Sequence, residues 1–210
     1  MEFSAVKYIS ECYIKPKYEV EESEQPYHLS PFDLIFLSVH YNQKGLLFAK
    51  PNQETFNIHK LLQNLKDSLA ETLVHFYPLA GQFDTTINED QHRCLVYVDC
   101  KKGPGARFIH AKLDVTVSDI TTPSHVPKVV KSFFDHQNGG EVVNHDGHSW
   151  PLLSIQVTEL IDGIFIGCSM NHVLVDGTSF WHFWNIWSQI QQAINGDEQI
   201  SVSRPPIHEE

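Results

Sequence analysis

"PLLSIQVTELIDGIFIGCSMNHVLVDGTSF", residues 151–180, holds two β-rich runs, a short polar break, and a histidine four positions ahead of an Asp-Gly pair. The break is Ile161-Asp162-Gly163. Asp-Gly between two such runs is the strongest short-range hairpin signal a sequence carries, so residues 151–160 and 163–171 are expected to be antiparallel neighbours. After Asp176-Gly177, the residues Phe180, Phe183, Trp184, Trp187, Ile190 and Ile194 recur at helical spacing. Thr178 or Ser179 is available as the N-cap and Asn195-Gly196 as the stop. His172 therefore falls between a buried strand and a buried helix.

Working outward, "VKYISECYIKPKYEV" (6–20) mixes β-branched and aromatic residues and reads as a strand cut by Pro16, followed by an acidic loop. Ser30, Pro31 and Asp33 ahead of "LIFLSV" have the form of a helix start, with a cap, a proline at the first position and an acid in the first turn. Between Phe56 and Phe76, Ile58, Leu61, Leu62, Leu65, Leu69 and Leu73 form one apolar stripe. That helix is expected to stop at Pro78, with Gly81 in the turn beyond. Residues 94–100 and 106–117 read as strands separated by the turn "KKGPG".

The chain has 210 residues, 41% of them hydrophobic, which is enough to bury a core. Its net charge of -11, from 26 acidic against 15 basic residues, argues against nucleic acid as a partner, because phosphate-backbone binding needs clustered Lys and Arg. No stretch approaches the length of a membrane span and the first 25 residues contain no apolar signal core. Cys12, Cys94, Cys100 and Cys168 form no CxxC pair, and no N-x-Ser/Thr acceptor occurs. A cytoplasmic protein without disulfides is the expectation.

A lone histidine beside a turn is more often a packing residue than a catalytic one, since chemistry needs several convergent groups. An imidazole of ordinary pKa, about 6.5, is nevertheless mostly neutral at pH 7 and can take a proton from an attacking hydroxyl or amine. "NHVLVDG" resembles the HxxxDG signature of the plant BAHD acyl-CoA-dependent acyltransferases. Three further landmarks resemble that family in the same order: "LSPFD", "LKDSLAETLVHFYPLAGQF", and "WPLLSIQVTEL" followed by "GIFIGCSMNH".

The resemblance implies an α/β (α+β) fold like that of chloramphenicol acetyltransferase, with a mixed, largely antiparallel sheet covered by helices. It implies two such domains with a solvent channel between them and His172 at its middle. His172 would be the general base, acyl-CoA the co-substrate, and a hydroxyl or amine of a small specialised metabolite the acceptor. Asp176 would be structural, held by an arginine for which Arg107, Arg93 and Arg204 are the internal candidates, and Gly177 would serve the turn and substrate access. The family's second signature, DFGWG, does not occur here. The expectation is one N-terminal domain over 1–200, a tail or truncated crossover over 201–210, and no C-terminal domain. Self-association, or pairing with another acyltransferase half, would cover the exposed face. Two rival readings are a non-catalytic or regulatory half-protein and a CoA-independent lyase or transferase using the same histidine.

Other constellations are weaker. His145 and His148 flank Asp146, with His136 upstream, but nothing reproduces a zinc-binding spacing, so no metal is expected. "GCSMN" lacks the final glycine of a nucleophile elbow. Cys168 sits in an apolar run, where a thiol is usually inert. "KKGPGAR" is the only compact basic cluster, and no CoA-binding residue is assigned. Trp181 and His182 lie off the helical stripe and are expected to face another subunit or the missing half.

Overall fold

The computed structural model describes residues 6–50, 56–90, 92–135, 142–196 and 199–208. In chain order the strands are β1 (Lys7–Ile14), β2 (Tyr27–His28), β3 (Asn42–Ala49), β4 (Gln82–Asn88), β5 (Arg93–Asp99), β6 (Ala106–Lys112), β7 (Leu153–Glu159) and β8 (Gly163–Met170). The helices are α1 (Pro31–Leu34), α2 (Ile58–His75), α3 (Val117–Thr121) and α4 (Gly177–Asn195). Five strands form the main sheet in the order β1-β6-β7-β8-β3, and β2-β5-β4 form a smaller one.

The hairpin at Asp162-Gly163 forms as the turn chemistry requires. β7 and β8 pair antiparallel from Leu153↔Met170 to Glu159↔Ile164. Both strands are buried almost throughout, because each has a partner on either side and cover on both faces. One pairing departs from the antiparallel pattern: β6 runs parallel to β7, with Arg107 opposite Ser154. The chain between them must cross back over the sheet, and α3 and a 3₁₀ segment over Lys128–Phe133 make that crossing.

On one face of the sheet lie α2 and α4, their apolar stripes meeting Phe108, Ile155, Val157, Cys168 and Met170. Phe180, Phe183, Leu69 and Leu73 are fully buried, each worth about 1.5–3 kcal/mol relative to exposure. The helices are also joined by a buried polar contact, Trp187 Nε1 donating to Ser68 Oγ at 2.9 Å. On the opposite face Leu113, Val115, Phe133, Leu160 and Phe165 close a second core. The small sheet packs through Phe83, Val96 and Val98 against Leu152 and Val173, the residues flanking the β7–β8 hairpin.

Four local expectations change. The strand expected over 106–117 ends at Lys112, because Thr116 and Asp119 form a reciprocal capping box that starts α3. The Ser30–Asp33 capping box forms, yet its helix lasts a single turn and leaves Phe32 and Ile35 exposed. β3 was hidden by its polar start and by Gly45, where a Cβ would lie 2.3 Å from Phe165 Cζ. β4 was hidden because five of its seven residues are polar, which masks the alternation of a strand.

Residues 201–208 are mostly exposed, yet two of them are tied to the domain. The ring of His208 lies edge-on to Tyr27 and Tyr77, its Nε2 donates to the His75 carbonyl at 2.8 Å, and His182 Nε2 donates to the Arg204 carbonyl at 2.8 Å. His182 thus faces the tail, while Trp181 stays 43% exposed with Lys44 Nζ 5.9 Å from its ring. No helix among the described residues is long and apolar enough to cross a membrane.

Candidate active site

His172 stands two residues beyond the end of β8, and the turn that carries it is pinned by buried amides. The Asn171 N–H donates to the Leu152 carbonyl at 2.9 Å, and Asn171 Oδ1 accepts from the Val173 N–H at 3.1 Å. An Asn bonding its own backbone two residues on is a turn built into the side chain. Asn171 Nδ2 then donates to the Asn144 carbonyl at 2.8 Å.

Asn144, itself fully buried, returns the contact. Its Oδ1 accepts from the His172 N–H at 2.8 Å and its Nδ2 donates to the Phe36 carbonyl at 2.7 Å. Backbone bonds from Asn144 N–H to Val39 O and from His145 N–H to Leu37 O, both 2.8 Å, complete the tie to the 36–39 turn. The Phe36 ring lies flat on the imidazole of His172, centroids 4.9 Å apart and planes 3° apart. The imidazole is partly buried, and its Nδ1 is buried with no hydrogen-bond partner among the described residues.

Asp176 is the N-cap of α4, a place the sequence assigned to Thr178 or Ser179. Its Oδ1 accepts from the Ser179 N–H at 2.7 Å and from the Ser179 hydroxyl at 2.8 Å. Those two bonds, the N–H first, hold its carboxyl below the usual range. Among the described residues no ion pair includes Asp176. Arg107, one of its three candidate partners, is instead held by the buried Asp135 at 3.1 Å and by Glu11, and lies over the Trp150 ring at 5.1 Å. Gly177 opens α4, and a Cβ there would meet nothing within 4 Å.

The remaining candidates have structural partners. Cys168 is fully buried beneath α4, and burial pushes its thiol well above the ordinary range. His148 Nδ1 donates to the His145 carbonyl and its Nε2 faces the Thr85 hydroxyl, both at 2.8 Å, so neither nitrogen is open to a metal. The Asp146 carboxylate accepts from the Val143 N–H at 3.0 Å, and His136 lies outside the described residues. No group of three His, Cys, Asp or Glu suited to a metal occurs among the described residues. In the basic cluster, Lys101 pairs with Glu24 and Lys102 with Asp84 and Asp99.

His172 lines neither of two solvent-open clefts found among the described residues. One, about 690 Å³, lies between β3, residues 126–135 and Trp150. The other, about 370 Å³, runs along Leu174, Val175, Ser179 and His182 under Pro205–His208.

The structure thus brings together His172, Asn171, Asn144 and Phe36, of which sequence reasoning singled out only the histidine. A signal existed for Asn171, since Asn at a strand end favours such a turn. Asn144 lies in "NHDGH" with no local pattern that marks it, and Phe36 is 136 residues from its stacking partner, beyond the reach of any local pattern.

Residues 4–209 match the Transferase family. The chain is 42% identical over 187 residues to an uncharacterised acetyltransferase of Arabidopsis thaliana, covering 88% of this chain. It is 38% identical over 206 residues to the BAHD acyltransferase DCR of the same plant, covering 94% of this chain. In both cases it spans about 40% of the relative's length. The fold matches that of vinorine synthase with a TM-score of 0.72 at 23% identity, over 97% of this chain and 46% of that one. The mixed sheet with its helical cover is therefore the acyltransferase fold expected from the sequence, and the chain belongs to the Transferase family, that of the BAHD acyltransferases.

Proposed function

We propose that this chain supplies the catalytic base for transfer of an acyl group from acyl-CoA to a hydroxyl or amine of a small specialised metabolite. The observation that carries the reading is the fixed imidazole of His172, held through its backbone by Asn144 and across its face by Phe36, on the sequence "NHVLVDG". With Nδ1 buried, Nε2 is the nitrogen left to act. It accepts the acceptor's proton as the oxygen or nitrogen attacks the thioester carbonyl. The tetrahedral intermediate collapses, the C–S bond breaks, and the imidazolium returns the proton to the CoA thiolate, so no acyl-enzyme is formed. Asp176 and Gly177 act through the fold, as the cap and first residue of α4.

A second reading has its own support: Lys101, Lys102 and Arg107, the compact basic group, are each engaged by carboxylates. A CoA phosphate would find few unpaired cations there, which favours a unit that holds the base while the CoA contacts come from another surface. The test is product formation by mass spectrometry from acyl-CoA and a panel of phenols, alcohols and amines, with His172→Ala alongside. Loss of turnover by about 10²- to 10⁴-fold is expected for removal of a general base. Turnover within a few-fold of wild type by a folded His172→Ala protein would refute the assignment. Turnover without any acyl-CoA would favour a CoA-independent reaction, and calorimetry with CoA alone distinguishes the second reading by the absence of binding.

A further inference from the structure

We infer that Asn144 is a positioning residue whose single side-chain amide sets the plane of the His172 imidazole, by holding the backbones of both members of the Phe36–His172 stack at once. The inference rests on the reading of His172 as the base. A histidine that works as a base is ordinarily oriented by a hydrogen bond at its other ring nitrogen. Here Nδ1 is buried and has no such partner among the described residues. What fixes the ring is the parallel face of Phe36, 4.9 Å away.

Phe36 is itself 36% exposed, so packing covers only part of it. Its place depends on its backbone, and the contact that joins that backbone to the histidine is Asn144. The two ends of one planar amide do opposite work: Oδ1 accepts from His172 N–H and Nδ2 donates to Phe36 O. Among the isosteric side chains Asn, Asp and Leu, only Asn offers an acceptor and an N–H donor on separate atoms. Aspartate would set an oxygen against the Phe36 carbonyl, and glutamine would overreach by a methylene. The amide cannot drift, because the main chain of Asn144 is bonded on both sides, to Val39 O and from Asn171 Nδ2. The clamp joins positions 36, 144 and 172, which only the fold brings together.

The test reads the stack by nuclear magnetic resonance on the full chain, where Phe36 shields the imidazole protons of His172. Asn144→Ala is expected to abolish that upfield displacement, and Asn144→Asp, which keeps the His172 contact but loses the Phe36 one, to do the same. Where the wild type transfers acyl groups, kcat falls by about 10²-fold with KM little changed, the scale of a misplaced reacting group. Should Asn144→Ala fail to fold, Phe36→Leu removes the plane and leaves the amide, and the same loss in kcat is expected. Folded Asn144 variants with His172 resonances and kcat at wild-type values would overturn the inference, as would an unaltered kcat in Phe36→Leu. Failure of the base assignment is separable: His172→Ala would then keep its turnover while the shielding still responded to Asn144.

Discussion

Gly167 and Phe133 meet backbone to backbone, so that a Cβ at position 167 would lie 2.2 Å from the Phe133 carbonyl oxygen. A carbonyl fixed in a 3₁₀ segment has no easy way to withdraw. Gly167→Ala should therefore cost about 1–3 kcal/mol, the usual range for overpacking a tight interior, and urea denaturation checks it. A midpoint equal to wild type would show that the segment over β8 gives way.

Asp176→Ala should cost about 1 kcal/mol, the typical worth of an N-cap, and Asp176→Asn much less, because an Asn oxygen also accepts from the Ser179 N–H. Thermal denaturation followed at 222 nm compares the two. The pH dependence has a definite sign. The carboxyl is held below its usual range in the folded chain, so its contribution is full above the unfolded value near pH ~4 and is lost as pH falls through the lower folded value. The gap between wild type and Asp176→Ala should close under acid, and a gap that stays constant would assign Asp176 another role.

Gly177→Ala should leave stability unchanged or raised by about 0.5 kcal/mol, since a Cβ there is met by nothing within 4 Å and alanine restricts the unfolded chain. A stable variant that loses turnover would place the need for glycine in the ligand's path. A variant that melts early would place it in the fold.

Alkylation with iodoacetamide at pH 8 should label Cys94 first, as the exposed thiol. Cys100 should lag, because burial, with Asp99 nearby, pushes its thiol up to about 12. Cys168 should be labelled only after denaturation. Prompt labelling of Cys168 in the folded protein would show that the space under α4 opens.

Legibility in the sequence followed distance along the chain. The β7–β8 hairpin and the stripes of α2 and α4 rest on spacings of two to four residues, and each formed close to where the pattern placed it. The motif located His172, and helical periodicity explained the aromatic residues of α4. What escaped was non-local or disguised. β3 carries a glycine for the sake of Phe165, a residue far along the chain. The capping boxes were short-range, yet Thr116–Asp119 was overlooked inside a run that looked like strand. The amide of Asn144 acquires its role only when residues 36 and 172 arrive on either side of it, and Arg107 found Asp135 rather than the motif's aspartate.

The order of strands in the main sheet also dictates when it can be completed. β3 has one neighbour, β8, and Gly45 must wait roughly 120 residues for Gly167 to join it. β1 likewise waits for β6, roughly 100 residues later. On a ribosome adding about 5–20 residues per second, β1 and β3 emerge several seconds before the strands that pair with them, and β7 and β8 follow all the other strands of this sheet. Such long-range pairing slows folding, since the loops must close before any contact rewards them. Early termination upstream of residue 163 would leave β1 able to pair with β6 but β3 without β8, its template.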